Sequence, residues 1–423
     1  MTDLTGLLVL LIVAATLALM LVRPRGVTEV WVSAAGALAI LAIRVVPTDA
    51  IPHVIGETSD VLLFLAGMML LTGIAERAGV FEVLAEGCVR LARERGRVLF
   101  INLFVLGALV TATLSLDVTI IMLTPIVYAL TSRRKLDALP FLFSCAFVAN
   151  TASLVLPVSN LTNLLVYERF DMGFGNFVSV MWWPNLVAAL TNLLVFLWIF
   201  RHRIPARFSA TNRAEESLAI DRWTITNGTV VAGTLIAVFA FGLANKPLWW
   251  ASIGGAGMLL VLAVIGGRIR IAQMVHDLSP SIFVFIVSMT VVVDGFQRTW
   301  LAGRAIPFPE SVSGAAITGI AGGAIGSNIV NNVPMTVLAL SLIEQAHPSV
   351  QTALAYGTLV GTNIGPAFTT YGSLATMIWL TSIRRHGIEV STREYMKVSL
   401  ITVPIVLVAA GATLLIVLAT GGG

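Results

Sequence analysis

Two cysteines in 423 residues, Cys88 and Cys145, are too few for a disulfide framework or for a structural zinc site, which usually takes four ligands. Charge is scarce too. Only 11% of the residues are Asp, Glu, Lys or Arg, against about 25% in soluble domains, and that shortage excludes an ordinary water-soluble fold. The chain has no Walker A sequence and so carries no P-loop ATPase of its own. It also lacks His-Glu-x-x-His and Gly-x-Ser-x-Gly, the signatures of zinc proteases and α/β-hydrolases. No enzymatic activity, cofactor or bound metal is expected. A net charge of +4 is too small to suggest a nucleic-acid partner. No run has the layout of a cleaved signal peptide, so the first apolar segment is expected to stay.

What the chain has in abundance is apolar surface, with 57% hydrophobic residues. The runs are apolar all round, which argues against the alternating pattern of a membrane β-barrel. The expected fold class is an all-α polytopic membrane protein sitting in the lipid bilayer of the cytoplasmic membrane. Apolar segments of spanning length occur at 4–22, 28–46 and 60–78. An arginine-rich stretch follows from Arg77 to Arg97, and then two arms, 98–113 and 118–131, flank a polar break. A span at 139–166 is interrupted at Pro157, and 177–200 closes the first half. After a polar linker the order recurs, with spans at 225–243, 247–265 and 279–297, arms at 311–326 and 333–343, a span at 350–383 broken around Gly365–Gly372, and a last span at 398–419.

The polar breaks organise the chain. A carboxamide in hydrocarbon is costly unless it is hydrogen-bonded or lines a wet cavity. Yet Asn328, Asn331 and Asn332 interrupt one apolar region, Ser115 and Asp117 a second, Asn150 through Asn163 a third, and Asn363 through Thr376 a fourth. The breaks fall in matched pairs. Asp117 lies opposite Asn332, Asn150 opposite Asn363, and Ser159-Asn160-Leu161 opposite Gly372-Ser373-Leu374. The expected organisation is a first repeat over 1–200 with a re-entrant hairpin at 98–131, a cytoplasmic linker over 201–222, and a second repeat over 223–423 with a hairpin at 311–343. Each half holds an odd number of crossings, so the second is inverted relative to the first. Placing Arg23 and Arg25 in the cytoplasm puts every Lys and Arg there except Arg44, Arg169, Lys246, Arg298 and Arg304. This fits the positive-inside rule with both termini outside. Inverted repeats with interrupted helices are the architecture of secondary transporters, whose sites lie near the midplane.

Asp117 is the acid expected deepest in the membrane, and an ionisable residue at that depth marks function by default. It is the candidate for proton coupling; the competing role is a helix N-cap. Asn150, Asn160, Asn163, Asn331, Asn332 and Asn363 are candidates for holding a polar neutral solute or a cation, and Ser159, Ser373 and Thr376 are weaker ones. Their competing role is to satisfy backbone at the breaks. Asp294 and Arg298, at i and i+4, read as a local ion pair. Glu76 and Arg77 read as interfacial.

With these motifs the chain resembles the arsenite efflux permease (ArsB) family of the ion transporter superfamily. The resemblance rests on Leu123-Thr124-Pro125-Ile126-Val127, Asn150-Thr151-Ala152-Ser153-Leu154, Val158-Ser159-Asn160-Leu161, Asn331-Asn332-Val333-Pro334 and Gly372-Ser373-Leu374-Ala375-Thr376. It implies export of trivalent arsenic and antimony hydroxides, arsenite and antimonite, in exchange for protons. In some members a separate soluble ATPase subunit is a partner. The sequence departs from the family pattern at Leu116, where Asn is usual, at Asn150, where Asp is common, and at Ala367, where Lys is common. Asp294 is not an expected acid of the family. The alternatives are a sodium/proton antiporter, a dicarboxylate carrier, and, from another class, a channel or an intramembrane protease. The dicarboxylate carrier lacks a deep cation at the tips, the channel would show no coupling, and the protease lacks an acid pair.

Overall fold

The computed structural model describes residues 3–22, 28–47, 49, 51–208, 221–268, 280–301 and 306–421. Arg23, Arg25, Arg304 and most of the expected linker lie outside the described residues. The described chain is helical, and eight of its helices are long and apolar enough to cross a membrane. The first half runs α1 (Asp3–Val22), α2 (Glu29–Ala42), α3 (Ile51–Arg77), α4 (Val80–Ala92), α5 (Gly96–Thr113), α6 (Leu116–Arg133), α7 (Ala138–Thr151), α8 (Leu161–Arg169) and α9 (Phe174–Ile199). The second half runs α10 (Arg222–Leu243), α11 (Trp249–Ile265), α12 (Pro280–Phe296), α13 (Val312–Val330), α14 (Asn332–Ile343), α15 (Pro348–Ile364), α16 (Leu374–Arg385) and α17 (Thr392–Ala419).

Side-chain caps explain where the helices stop and restart. Ser115 accepts a hydrogen bond from the Val118 amide at the start of α6. Asn331 does the same for Val333 at α14, Asn160 for Thr162 at α8, and Ser373 for Ala375 at α16. These short polar side chains compete with the backbone inside a helix and favour its N-terminus. Positions recur between the halves: Asn150 and Asn363 are each the penultimate residue of their helices, and Pro184 and Pro404 lie inside the two closing helices.

Several expected boundaries move. The first hairpin spans Gly96 to Arg133 and has a π-bulge over Thr119–Leu123, just after Asp117. The interruption expected at Pro157 takes in the whole of 152–160. The arginine-rich stretch contains α4, whose Phe81, Ala85, Cys88 and Ala92 are buried along one side. At 13 residues it is too short to span, so span-length reasoning passes over it. The capping role weighed for Asp117 belongs to Ser115, because α6 begins at Leu116 rather than Val118.

Two groups of helices emerge. In one, α3 packs along α11, α2 along α12, and α1 along α2. In the other, the hairpins pack on the broken helices, and α9 packs along α17. Phe143, Phe147, Phe196, Trp379 and Tyr395 form an aromatic core between α7, α9, α16 and α17. From that core the Tyr395 hydroxyl donates to the Ala367 carbonyl at the second break, at 2.9 Å.

Helices α13 and α15 pack closely along their length. A Cβ at Gly361 would collide with the Ile320 carbonyl, one at Gly357 with the Ala316 carbonyl, and one at Gly319 with the Leu354 carbonyl. Small residues let membrane helices approach this closely. Gly361→Val is expected to cost about 1–3 kcal/mol by overpacking and to lower the melting midpoint in detergent. An unchanged midpoint would mean that the α13–α15 contact carries little stability.

Contacts at the helix ends also sort by charge. Arg134 pairs with Glu86, Arg203 with Asp137, and the Tyr128 hydroxyl donates to the His386 carbonyl. All of these lie among the segments expected in the cytoplasm. Arg169 pairs with Glu344, and both belong to the opposite set.

Candidate functional site

A cavity of about 550 Å³ lies between the two helix groups. One wall comes from α1, α2, α3 and α12, and the other from α6, α8, α14, α16 and both hairpin tips. Of the residues expected to form a site, Asp117, Asn160 and Asn331 line it. Asn150, Ser159, Asn163, Asn332, Asn363, Ser373 and Thr376 are buried and off its wall.

The two sets do different work. Asn363 is fully buried, and its Oδ1 accepts from Ser153 Oγ at 2.7 Å and from Asn160 Nδ2 at 2.6 Å. Its Nδ2 lies 3.0 Å from Asn163 Oδ1 and 2.8 Å from the Leu359 carbonyl. Asn163 in turn donates to the Ser153 and Leu156 carbonyls. Asn363 thereby ties the break of one half to the break of the other. Asn150 donates to the Ala146 carbonyl, within its own helix.

Each tip is also sewn to the break of its own half. Ser159 Oγ donates to the Ala112 carbonyl at 2.5 Å. The Asn332 amide donates to the Gly372 carbonyl at 3.0 Å, and Asn331 Nδ2 to the Tyr371 carbonyl at 3.3 Å. Asn328, which the sequence shows as one more carboxamide of the tip, donates to the Ala324 and Gly365 carbonyls and accepts from the Thr369 amide and hydroxyl. These bonds satisfy backbone carbonyls and amides that the breaks leave free.

At the cavity, Asp117 is half-buried, and its carboxylate accepts no hydrogen bond from the described residues. Ser115 and Asn331 line the same cavity. Asn331 has φ 76° and ψ 157°, a region that only glycine adopts readily and that costs a side-chain-bearing residue on the order of 1–3 kcal/mol. Asn331→Gly is therefore expected to raise the thermal midpoint while lowering transport, since the carboxamide is lost. Transport equal to wild type in that variant would mean that the side chain serves only the backbone.

Two further carboxylates lie on the wall: Glu29, which sequence reasoning passed over, and Glu76, which it read as interfacial. Glu76 carried a signal: Leu65, Met68, Met69, Thr72, Gly73 and Glu76 follow the spacing of one helix face, and all of them line the cavity. Among the described lining residues there are three carboxylates and no Lys, Arg or His. Asp294, in α12, is held by Arg298 Nε at 2.9 Å and lies off the wall.

Apolar spanning helices, interrupted helices and a cavity at their tips define a multi-pass membrane transporter. The chain belongs to the family described as citrate transporter (CitMHS), whose pattern matches residues 8–361. Among its relatives are an arsenical pump membrane protein of Escherichia coli, 27% identical, and that of Escherichia coli strain K12, 29% identical. Each alignment covers 94% of this chain and 96% of the relative. The resemblance to the arsenite efflux permeases is thus matched along nearly the whole chain, and the protein is a carrier of the ion transporter superfamily. Its fold is similar to that of the Alcanivorax borkumensis YdaH transporter, whose crystal structure is described as having an unusual topology. The TM-score is 0.55 at 12% identity, over 99% of this chain and 98% of that one.

Proposed function

We propose that the protein exports trivalent arsenic and antimony hydroxides in exchange for protons, with Asp117 carrying the coupling proton. The supporting observation is the ionisable lining of the cavity, which holds carboxylates but no cation among the described residues. A citrate or dicarboxylate anion placed about 5 Å from Asp117 would be repelled by about 3 kcal/mol per charge pair at an effective dielectric near 20. An uncharged hydroxide meets no such barrier, and Ser115, Asn160 and Asn331 offer it hydrogen bonds. The name of the relatives points to the same solute class.

Without a P-loop in the chain, a proton gradient is the simplest source of energy for moving a neutral solute uphill. The two halves act as inverted repeats, and the cavity of this conformation faces the cytoplasm: Glu29 and Glu76 lie on its wall at helix ends assigned to that side by charge. A soluble ATPase subunit, as some relatives of the resembled family use, would add a second energy source. On this topology Ser209→Cys is protected from an impermeant thiol reagent in intact cells; ready labelling there would refute the inverted arrangement. The function is tested by uptake of labelled arsenite and labelled sodium into everted vesicles, with and without an imposed pH gradient. Gradient-driven arsenite accumulation is expected. Sodium accumulation without arsenite movement would make the protein a sodium/proton antiporter instead.

A further inference from the structure

The cavity is much larger than the solute proposed for it, and most of its wall is apolar. Arsenous acid, three hydroxyls on one arsenic, occupies roughly 100 Å³, judged from about 30 Å³ for each water-sized group. The cavity holds about 550 Å³. From the hairpin tips and the first break it takes Ser115, Asp117, Asn160 and Asn331. Phe64, Met68, Met122, Phe285, Met377 and Ile378 line it too. A trihydroxide offers these side chains nothing apolar to bury, so their surface stays in contact with water.

We propose that the site is built for trivalent arsenicals carrying one apolar substituent, arsonous acids of the form R–As(OH)2, and prefers them to the trihydroxide. This rests on the proposed arsenite export and deepens it. The two hydroxyls face Ser115, Asn160 and Asn331, as they would in arsenous acid. The substituent takes the place of the third hydroxyl and lies against the aromatic and thioether side chains, displacing water from them. Methionine suits that wall because it is flexible and polarisable, and it makes favourable contacts with aromatic rings. Substituents from methyl to phenyl can then share one site. No bond to arsenic forms or breaks.

The test uses the full-length protein purified into liposomes with an imposed pH gradient. The readout is the concentration of arsenous, methylarsonous or phenylarsonous acid that halves transport of labelled arsenite. Phenylarsonous acid is expected to inhibit at concentrations about tenfold or more below arsenous acid, a factor within what burial of an aromatic ring supplies. The methyl compound should fall between the two. Met122→Gln and Met377→Gln keep the length of the side chain but make the wall polar, and each should shrink the phenyl advantage several-fold. Met122→Leu should keep it. The advantage is a ratio within each variant, so partial misfolding does not affect it. Phenylarsonous acid no better than arsenous acid, while arsenite is still transported, would overturn the inference and leave the proposed function standing. An advantage unchanged in both Gln variants would also overturn it. If labelled arsenite is not transported at all, the proposed function fails and the inference falls with it.

Discussion

Asp117→Asn is expected to abolish pH-driven uphill export of arsenite while sparing downhill exchange. The substitution keeps the shape of the side chain and removes only the ability to carry a proton. Asp117 is half-buried, accepts no hydrogen bond among the described residues and caps no helix. Stability should therefore change by less than about 1 kcal/mol, the usual effect of a substitution that breaks no packed or bonded feature. Accumulation ratios in everted vesicles should fall to unity at every imposed gradient, whereas the wild-type ratio should rise with the gradient. Asp117→Glu should restore part of the coupling, because the carboxylate returns on a longer arm. Should Asp117→Asn still concentrate arsenite, the coupling proton is carried elsewhere, and Glu76, on the same cavity wall, becomes the next residue to test.

Asn363→Ala is expected to cost about 3–5 kcal/mol, far more than the same change at Asn331. Removing the carboxamide strands Asn160 Nδ2, which loses its acceptor, and Asn163 Oδ1, which loses a donor, and leaves Ser153 Oγ only its 3.2 Å bond to the Asn150 carbonyl. All three residues are buried. Each unsatisfied buried group costs about 1–3 kcal/mol. In detergent the variant should lose its monodisperse peak at a clearly lower temperature. Asn331→Ala, whose carboxamide makes only long bonds of 3.3 and 3.5 Å, should keep that peak and lose transport. Equal thermal midpoints in the two variants would refute the division between a structural Asn363 and a solute-facing Asn331.

That division separates what was legible in the sequence from what was not. The spanning helices follow from run length and scarcity of charge, because hydrocarbon accepts only helices whose backbone bonds are satisfied internally. The interruptions are legible for the same reason: Ser115, Asn160, Asn331 and Ser373 are cap residues set between apolar arms. The pairing of Asn150 with Asn363, and of 159–161 with 372–374, could be read letter by letter. Helix α4 escaped because it is too short to span and its burial runs along one face only.

The sequence by itself determined that this is a helical membrane protein with two hairpin tips, two broken helices and one acid at a tip. The tertiary structure alone decided which polar groups face the cavity. A carboxamide at a helix break can bond to backbone, to another break or to a solute, and its letter is the same in each case. Only the packing of α15 against the first break shows that Asn363 spends its bonding capacity inside the protein. Only the approach of α2 and α3 to the tips brings Glu29, Glu76, Met68 and Met69 onto the wall that Asp117 faces. Those contacts join residues far apart in the chain, and they are set by how apolar faces fill space against one another, which no local pattern records.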